Sequence, residues 1–163
     1  MSKIQGGSLE WNDSKLIAFT NGTMTKAITK ASIYTQGIAK KMVGGAGKGR
    51  LYRRRKQKGK RGTFAASDFH RASLPGDPPA RDSGILVVSI SYTVKRKLLK
   101  VIGRVGSDID IIRSKEPTSD PEYGAYLELG TPRIKARPWL RPSLIKAKPK
   151  INKILKRATE SIK

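Results

Sequence analysis

Cysteine is absent from the 163 residues, and histidine occurs once, at position 70. The first absence excludes disulfides and thiolate metal sites, and the second leaves an all-protein zinc site without enough ligands. Acidic residues are scarce as well: twelve stand against 35 lysines and arginines, a net charge of +23. Carboxylates so few and so scattered make a poor supply for acid–base or metal chemistry. Asp108 and Asp110, at alternate positions near a strand end, are expected to face solvent. His70 sits beside Arg71 with no convincing nucleophile or orienting carboxylate nearby, so it reads as a surface residue and the chain as a non-enzyme. The glycines at 45, 47 and 49 lack a preceding strand and a Walker lysine followed by Ser or Thr, and read as flexible punctuation. No cofactor is expected. No run approaches the ~18 apolar residues of a spanning helix, and the start MSKIQGGSLEW has no signal-peptide apolar region. A soluble protein made in the cytoplasm is the expectation.

What the chain does have is positive charge. An excess of this size must find an anionic partner or repel itself, and nucleic acid, an acidic protein surface or an anionic membrane would each serve. The charge is densest in KGRLYRRRKQKGKR, residues 48–61, which holds nine basic residues in fourteen and no acid. Low hydrophobicity with dense like charge predicts a segment that orders only against something negative. With the turn-rich Leu74-Pro75-Gly76-Asp77-Pro78-Pro79, residues 44–81 read as one flexible basic arm, too long for a passive connection. Arg50, Arg53, Arg54, Arg55, Lys56, Lys58, Lys60 and Arg61 are its candidate contacts to DNA or another anionic partner, because guanidinium forks suit phosphates and carboxylates and Tyr52 offers a ring for stacking.

Around the arm the patterning is that of an ordinary folded domain. Ile4, Leu9 and Trp11 suit a short edge strand or an arm. Asn12 or Asp13 is placed to cap a first helix carrying Leu16, Ile17 and Phe19, which Asn21-Gly22 should end. Met24, Ile28, Ala31, Thr35, Ile38 and Met42 recur at helical steps and predict a second helix from Thr23 to about Val43, packed on a sheet. Asp82 or Ser83 can cap a short helix with Ile85, Leu86 and Ile90, although Val87-Val88 equally suits a strand. SYTVKRK (91–97) and LLKVIGRVG (98–106) read as an antiparallel hairpin turning at Lys95-Arg96-Lys97, with Ile109, Ile111 and Ile112 extending the sheet. A last helix carries Leu144, Ala147, Ile151, Ile154, Ala158 and Ile162, and Pro149 predicts a kink in it or two helices. The order implies a single α+β domain over 1–163: a small antiparallel sheet packed by N-terminal and C-terminal helices, with the long basic loop inserted.

The densest punctuation lies in DPEYGAYLELGTPRIKARPWLRPSL, residues 120–144. Asp120 caps and Pro121 opens a short helix, Tyr123, Tyr126 and Leu127 share a face, and Gly130 ends it as a left-handed cap. Three prolines between Thr131 and Pro142 then stiffen a loop that carries Trp139 and Leu140. Tyr123, Tyr126 and Trp139 suit either core packing or a protein interface, since aromatic rings beside arginines serve both.

These residues resemble the minor tail component family of tailed bacteriophages, the neck or tail-completion proteins of the head-to-tail junction. The family pattern Tyr-x-x-Tyr-x-Glu-x-Gly-Thr is met by Tyr123, Tyr126, Glu128, Gly130 and Thr131, and Arg-Pro-aromatic-Leu-Arg-Pro by Arg137, Pro138, Trp139, Leu140, Arg141 and Pro142. Upstream, PPARDSGILVVSI and GRVGS resemble the family's Pro-Pro, Gly-x-Leu-x-x-Ser-Ile segment and its strand end, so the likeness covers about residues 78–145. Trp139 stands where Phe is commoner, and the arginine-rich arm is heavier than the family's loop. The resemblance implies a structural virion protein of the neck: a ring of six copies between the head-closure or connector protein and the tail terminator, its channel passing genomic DNA, with no membrane involved. It also implies that Tyr123, Tyr126, Glu128, Arg137, Trp139 and Arg141 belong to the joint between ring neighbours. A sequence-independent nucleic-acid-binding protein is the other reading of the charge.

Overall fold

The structure, a computed structural model, describes residues 13–53, 69–115 and 122–160. Its fold is α+β. Helix α1 (Asp13–Phe19) passes through a π-helical turn, Thr20–Met24, into α2 (Thr25–Val43). Asn21-Gly22 therefore does not stop the first helix. The hydroxyls of Thr20 and Thr25 donate to the Leu16 and Thr20 carbonyls at 2.9 Å each, which satisfies acceptors that a widened turn leaves free. The expected strand or arm at residues 4–11 lies outside the described residues.

Helix α2 is the spine. Its buried residues are Ala27, Ala31, Ser32, Thr35, Ala39 and Val43, a stripe at steps of four whose centre is rotated from the expected one. Ile28, Ile38 and Met42 flank it, half-buried. The centre is made of small side chains because two elements press against it. One is the hairpin of β3 (Ile90–Lys97) and β4 (Lys100–Ser107), which runs in register from Ile90 opposite Ser107 to Lys97 opposite Lys100. The other is α6 (Leu140–Glu160), antiparallel to α2: the Ser143 hydroxyl meets Met42 Sδ at 2.9 Å near one end, and Ala158 and Ile154 share a cleft with Thr23 and Ala27 at the other. Gln36 Nε2 donates to the Ile90 carbonyl at 2.8 Å and pins the root of the hairpin to the helix.

Four expectations change here. The hairpin turns at Leu98-Leu99, and Lys95-Arg96-Lys97 continue β3, since every residue from 95 to 100 is exposed and the cations extend the strand without being buried. Ile109, Ile111 and Ile112 do not extend the sheet; they lie in α4 (Ile109–Lys115), whose second and third N–H groups, those of Asp110 and Ile111, donate to Asp108 Oδ1 at 3.0 and 3.4 Å. Of the two outcomes expected at Pro149, the division into two helices does not occur: α6 runs on past it, because it faces solvent, where water can satisfy the Ile145 carbonyl it leaves without a donor. Part of the basic arm is ordered: β1 (Leu51–Arg53) pairs with β2 (Phe69–Arg71) in an antiparallel ribbon. The β-forming side chains Leu51, Tyr52 and Phe69 are concealed by the average charge of their surroundings. Residues 54–68 lie outside the described residues.

Segment 85–90 divides between its two expectations, with helix α3 (Ile85–Ser89) leading into β3 at Ile90. Ala39, Val43, Leu86, Ile90, Leu127 and Trp139 form the core cluster. Among the described residues no helix is long and apolar enough to cross a membrane.

The close approach of β4 to α2 is testable. A Cβ added at Gly103 would fall on Ser32 Oγ and lie 2.9 Å from Ile28 Cγ2, whereas one at Gly106 meets nothing within 4 Å. Gly103→Val is expected to cost ~1–3 kcal/mol in urea unfolding and Gly106→Val less than ~0.5 kcal/mol. Equal losses would show that contact across this helix–strand seam is not what limits the site.

Candidate assembly joint and cationic groove

The 120–144 segment folds as a joint. Its short helix α5 (Tyr123–Leu129) buries Gly124 and Leu127, and Gly130, at φ +79°, closes it with an N–H donated to the Tyr126 carbonyl at 2.8 Å. Asp120 and Pro121 lie outside the described residues, and Glu122 flanks the helix start. The chain then makes a tight turn in which the backbones of Thr131 and Ile134 exchange hydrogen bonds of 2.8 and 3.2 Å, and Thr131 Oγ1 accepts from the Ile134 N–H at 3.1 Å. Arg137 N–H donates to the Leu127 carbonyl at 2.7 Å, returning the loop to the helix it left.

Glu128 holds the two helices together. Its Oε2 accepts the N–H groups of Trp139 and Leu140 at 2.6 and 2.8 Å, and its Oε1 accepts that of Arg141 at 2.9 Å. One carboxylate thus satisfies three donors at the start of α6, at the positive end of the helix dipole. Trp139 is only 2% exposed, and its Nε1–H donates to the Gly124 carbonyl at 3.1 Å.

This geometry sorts the expected interface residues. Trp139 is a correction: its indole is covered within its own chain and offers no surface to a ring neighbour. Of Tyr123, Tyr126 and Leu127, only Leu127 is buried. Tyr123 is 47% exposed, and Tyr126 is half-buried with its hydroxyl donating to Glu122 Oε2 at 3.0 Å. Glu128 acts inside the joint, and Arg141 has an exposed side chain beside it.

Next to the joint lies a groove of about 520 Å³. The ribbon brings Tyr52 and His70, a cross-strand pair, to one wall; the 73–82 loop brings Ser73, Pro75, Pro79 and Asp82; α5 brings Tyr123 and Leu127; and the proline-braced loop brings Arg133, Lys135 and Arg137. Gly76 N–H donates to the Ala136 carbonyl at 2.9 Å and ties two of these walls together. At the ribbon's root a Cβ on Gly47 would collide with the carbonyl oxygens of Arg71 and Ala72, so this glycine is a point of close crossing and not flexible punctuation. His70 is likewise no isolated surface histidine, since Asp82 Oδ1 stands 3.7 Å from its Nδ1.

The structure therefore gathers Tyr123 and Arg137 of the motif with Tyr52 of the arm. Arg50 stacks over Tyr52, 5.6 Å from the ring centroid, while Arg53 pairs with Phe69 on the other face of the ribbon. Arg54, Arg55, Lys56, Lys58, Lys60 and Arg61 lie outside the described residues. Sequence reasoning missed Arg133, Lys135 and Asp82. The closeness of Arg133 and Lys135 to Arg137 within one proline-stiffened loop was the available signal. Among the described residues no group of three His, Cys, Asp or Glu side chains is arranged to hold a metal ion.

The chain matches no family model, no curated protein and no solved structure.

The joint predicts a stability hierarchy. Glu128→Ala is expected to lose about 2–3 kcal/mol in denaturant unfolding, with Glu128→Gln losing about half of that because one acceptor oxygen remains. Trp139→Ala, which empties a core site, is expected to lose about 3–5 kcal/mol. A Trp139→Ala chain as stable as the parent would return the indole to the surface and refute the joint.

Proposed function

We propose that this protein is a structural subunit of a bacteriophage neck, assembling into a ring that joins the head connector to the tail and lets DNA pass. The observation that carries the reading is the motif at 123–142, whose likeness to the minor tail component family extends to the residues that make a rigid joint here. Two physical features support it. Large apolar side chains stand in solvent on the lone chain, with Leu129 79%, Leu98 69% and Ile145 65% exposed, as expected of surfaces that neighbours cover. The charge of +23 also disfavours a free assembly of six copies, which needs DNA, acidic neighbours or counterions to hold together, and a neck supplies the first two.

In this reading the joint keeps each subunit rigid, the exposed apolar residues meet ring neighbours, and the basic arm reaches the connector, the tail terminator or the genome. The place of action is the virion, at the head-to-tail junction, after assembly in the host cytoplasm. The rival reading, a sequence-independent nucleic-acid binder, rests on the charge alone.

Sedimentation separates the two. In ~0.5 M salt, where repulsion between copies is screened, the protein is expected to form a species of about six times its 17.9 kDa, and Leu129→Asp with Ile145→Asp is expected to return it to a folded monomer. A chain that stays monomeric and binds duplex DNA, with log affinity falling by about 0.9 per phosphate contact against log salt, would instead establish the rival. Replacing Arg54, Arg55, Lys56, Lys58, Lys60 and Arg61 by Ser is expected to leave ring mass and stability unchanged and to impair joining of heads to tails. Undiminished joining would remove the arm from that contact.

A further inference from the structure

The groove beside the joint has the chemistry of a peptide site. Its cationic side is built from Arg133, Lys135 and Arg137 on a loop stiffened by Pro132 and Pro138 and tied down at Ala136 and Arg137. Arg137 Nε is buried and has no hydrogen-bond acceptor among the described residues. Its guanidinium therefore keeps donor capacity that no group among the described residues uses. Leu127, Pro75 and Pro79 add apolar surface to the same groove, and Tyr52 and Tyr123 line it as well.

That combination discriminates between anions. A phosphodiester backbone offers no apolar side chain to set against Leu127 and the prolines. A polypeptide with acidic and aliphatic side chains fits both halves: a carboxylate takes the guanidinium fork, and a neighbouring aliphatic group covers Leu127 and the prolines. The volume of about 520 Å³ suits a few residues of extended chain. We infer that this groove binds an acidic peptide segment of a partner protein, anchoring a Glu or Asp carboxylate on Arg137 with Arg133 and Lys135 beside it. The inference stands on the groove alone and holds whether or not copies of the chain assemble into a ring.

Fluorescence anisotropy at ~0.15 M salt tests it with a fluorescein-labelled ten-residue peptide of glutamate, leucine and serine, and with the same peptide carrying glutamine for glutamate. The glutamate peptide is expected to bind at least tenfold more tightly than the glutamine one, and Arg137→Lys to weaken it about tenfold because the bidentate fork is lost. Arg133→Glu with Lys135→Glu, both at exposed positions, should weaken it by as much or more, while Lys153→Glu, an exposed position of α6 outside the groove lining, should not. Absence of glutamate-peptide binding, or equal weakening by Lys153→Glu, would overturn the proposal and leave only general charge attraction. A 20-base-pair duplex that displaces the peptide and loses its own binding in the same groove variants would assign the site to nucleic acid instead.

Discussion

The carboxylate of Glu128 is the interaction on which the ordered part of this protein turns. It is one of only twelve acids in a chain of 35 basic residues, and it is spent inside the fold, accepting three backbone N–H groups at the start of α6. A helix start set in a stiff loop has donors that must be satisfied, and charge-assisted acceptance by one fixed carboxylate settles their position as well as their energy. Once Trp139, Leu140 and Arg141 are held there, the indole enters the core, α6 is aimed back along α2, and the loop from Thr131 to Pro138 has a fixed path. The cationic groove inherits its geometry from that path.

Packing on α2 supplies the complementary constraint. Ala31, Ser32, Thr35 and Ala39 leave room for backbones to approach, so the hairpin and α6 both sit close against one helix. Cores made of small residues gain less from each side chain and more from continuous contact, which makes added volume costly at their seams. Most of the described lysines and arginines are left outside, where dissolved salt screens them from one another. Such a surface is poor in internal compensation, and that is the physical reason for looking to anionic neighbours.

The ribbon changes how the basic arm is understood. Leu51, Tyr52 and Arg53 pair with Arg71, His70 and Phe69, so the arm leaves the domain as a two-stranded extension with distinct faces. One face turns Tyr52 and His70 toward the groove and the other displays Arg53 and Arg71. Joint, groove and ribbon root thus form one continuous region, in which the motif provides rigidity and the arm provides a wall.

The sequence by itself determined the class of this fold and most of its elements: the helical steps of 24–42 and of the segment after Pro142, two neighbouring antiparallel strands within 91–106 though not the place of their turn, and the helix-stop-loop-helix punctuation of 123–142. Those signals are local, set by period, capping and proline geometry, and they survive without knowledge of neighbours. Tertiary structure alone decided which way each element faces and what its side chains meet. Trp139 looked equally suited to core and interface until Gly124 and Glu128 were placed around it, and Ile109–Ile112 looked like a strand until Asp108 capped it as a helix. The groove was the least legible feature, because Tyr52, Asp82, Tyr123 and Arg137 are distant in sequence and meet only when the ribbon, α5 and the braced loop converge. Periodicity reports burial along one segment; it carries no information about which segments close around a common space.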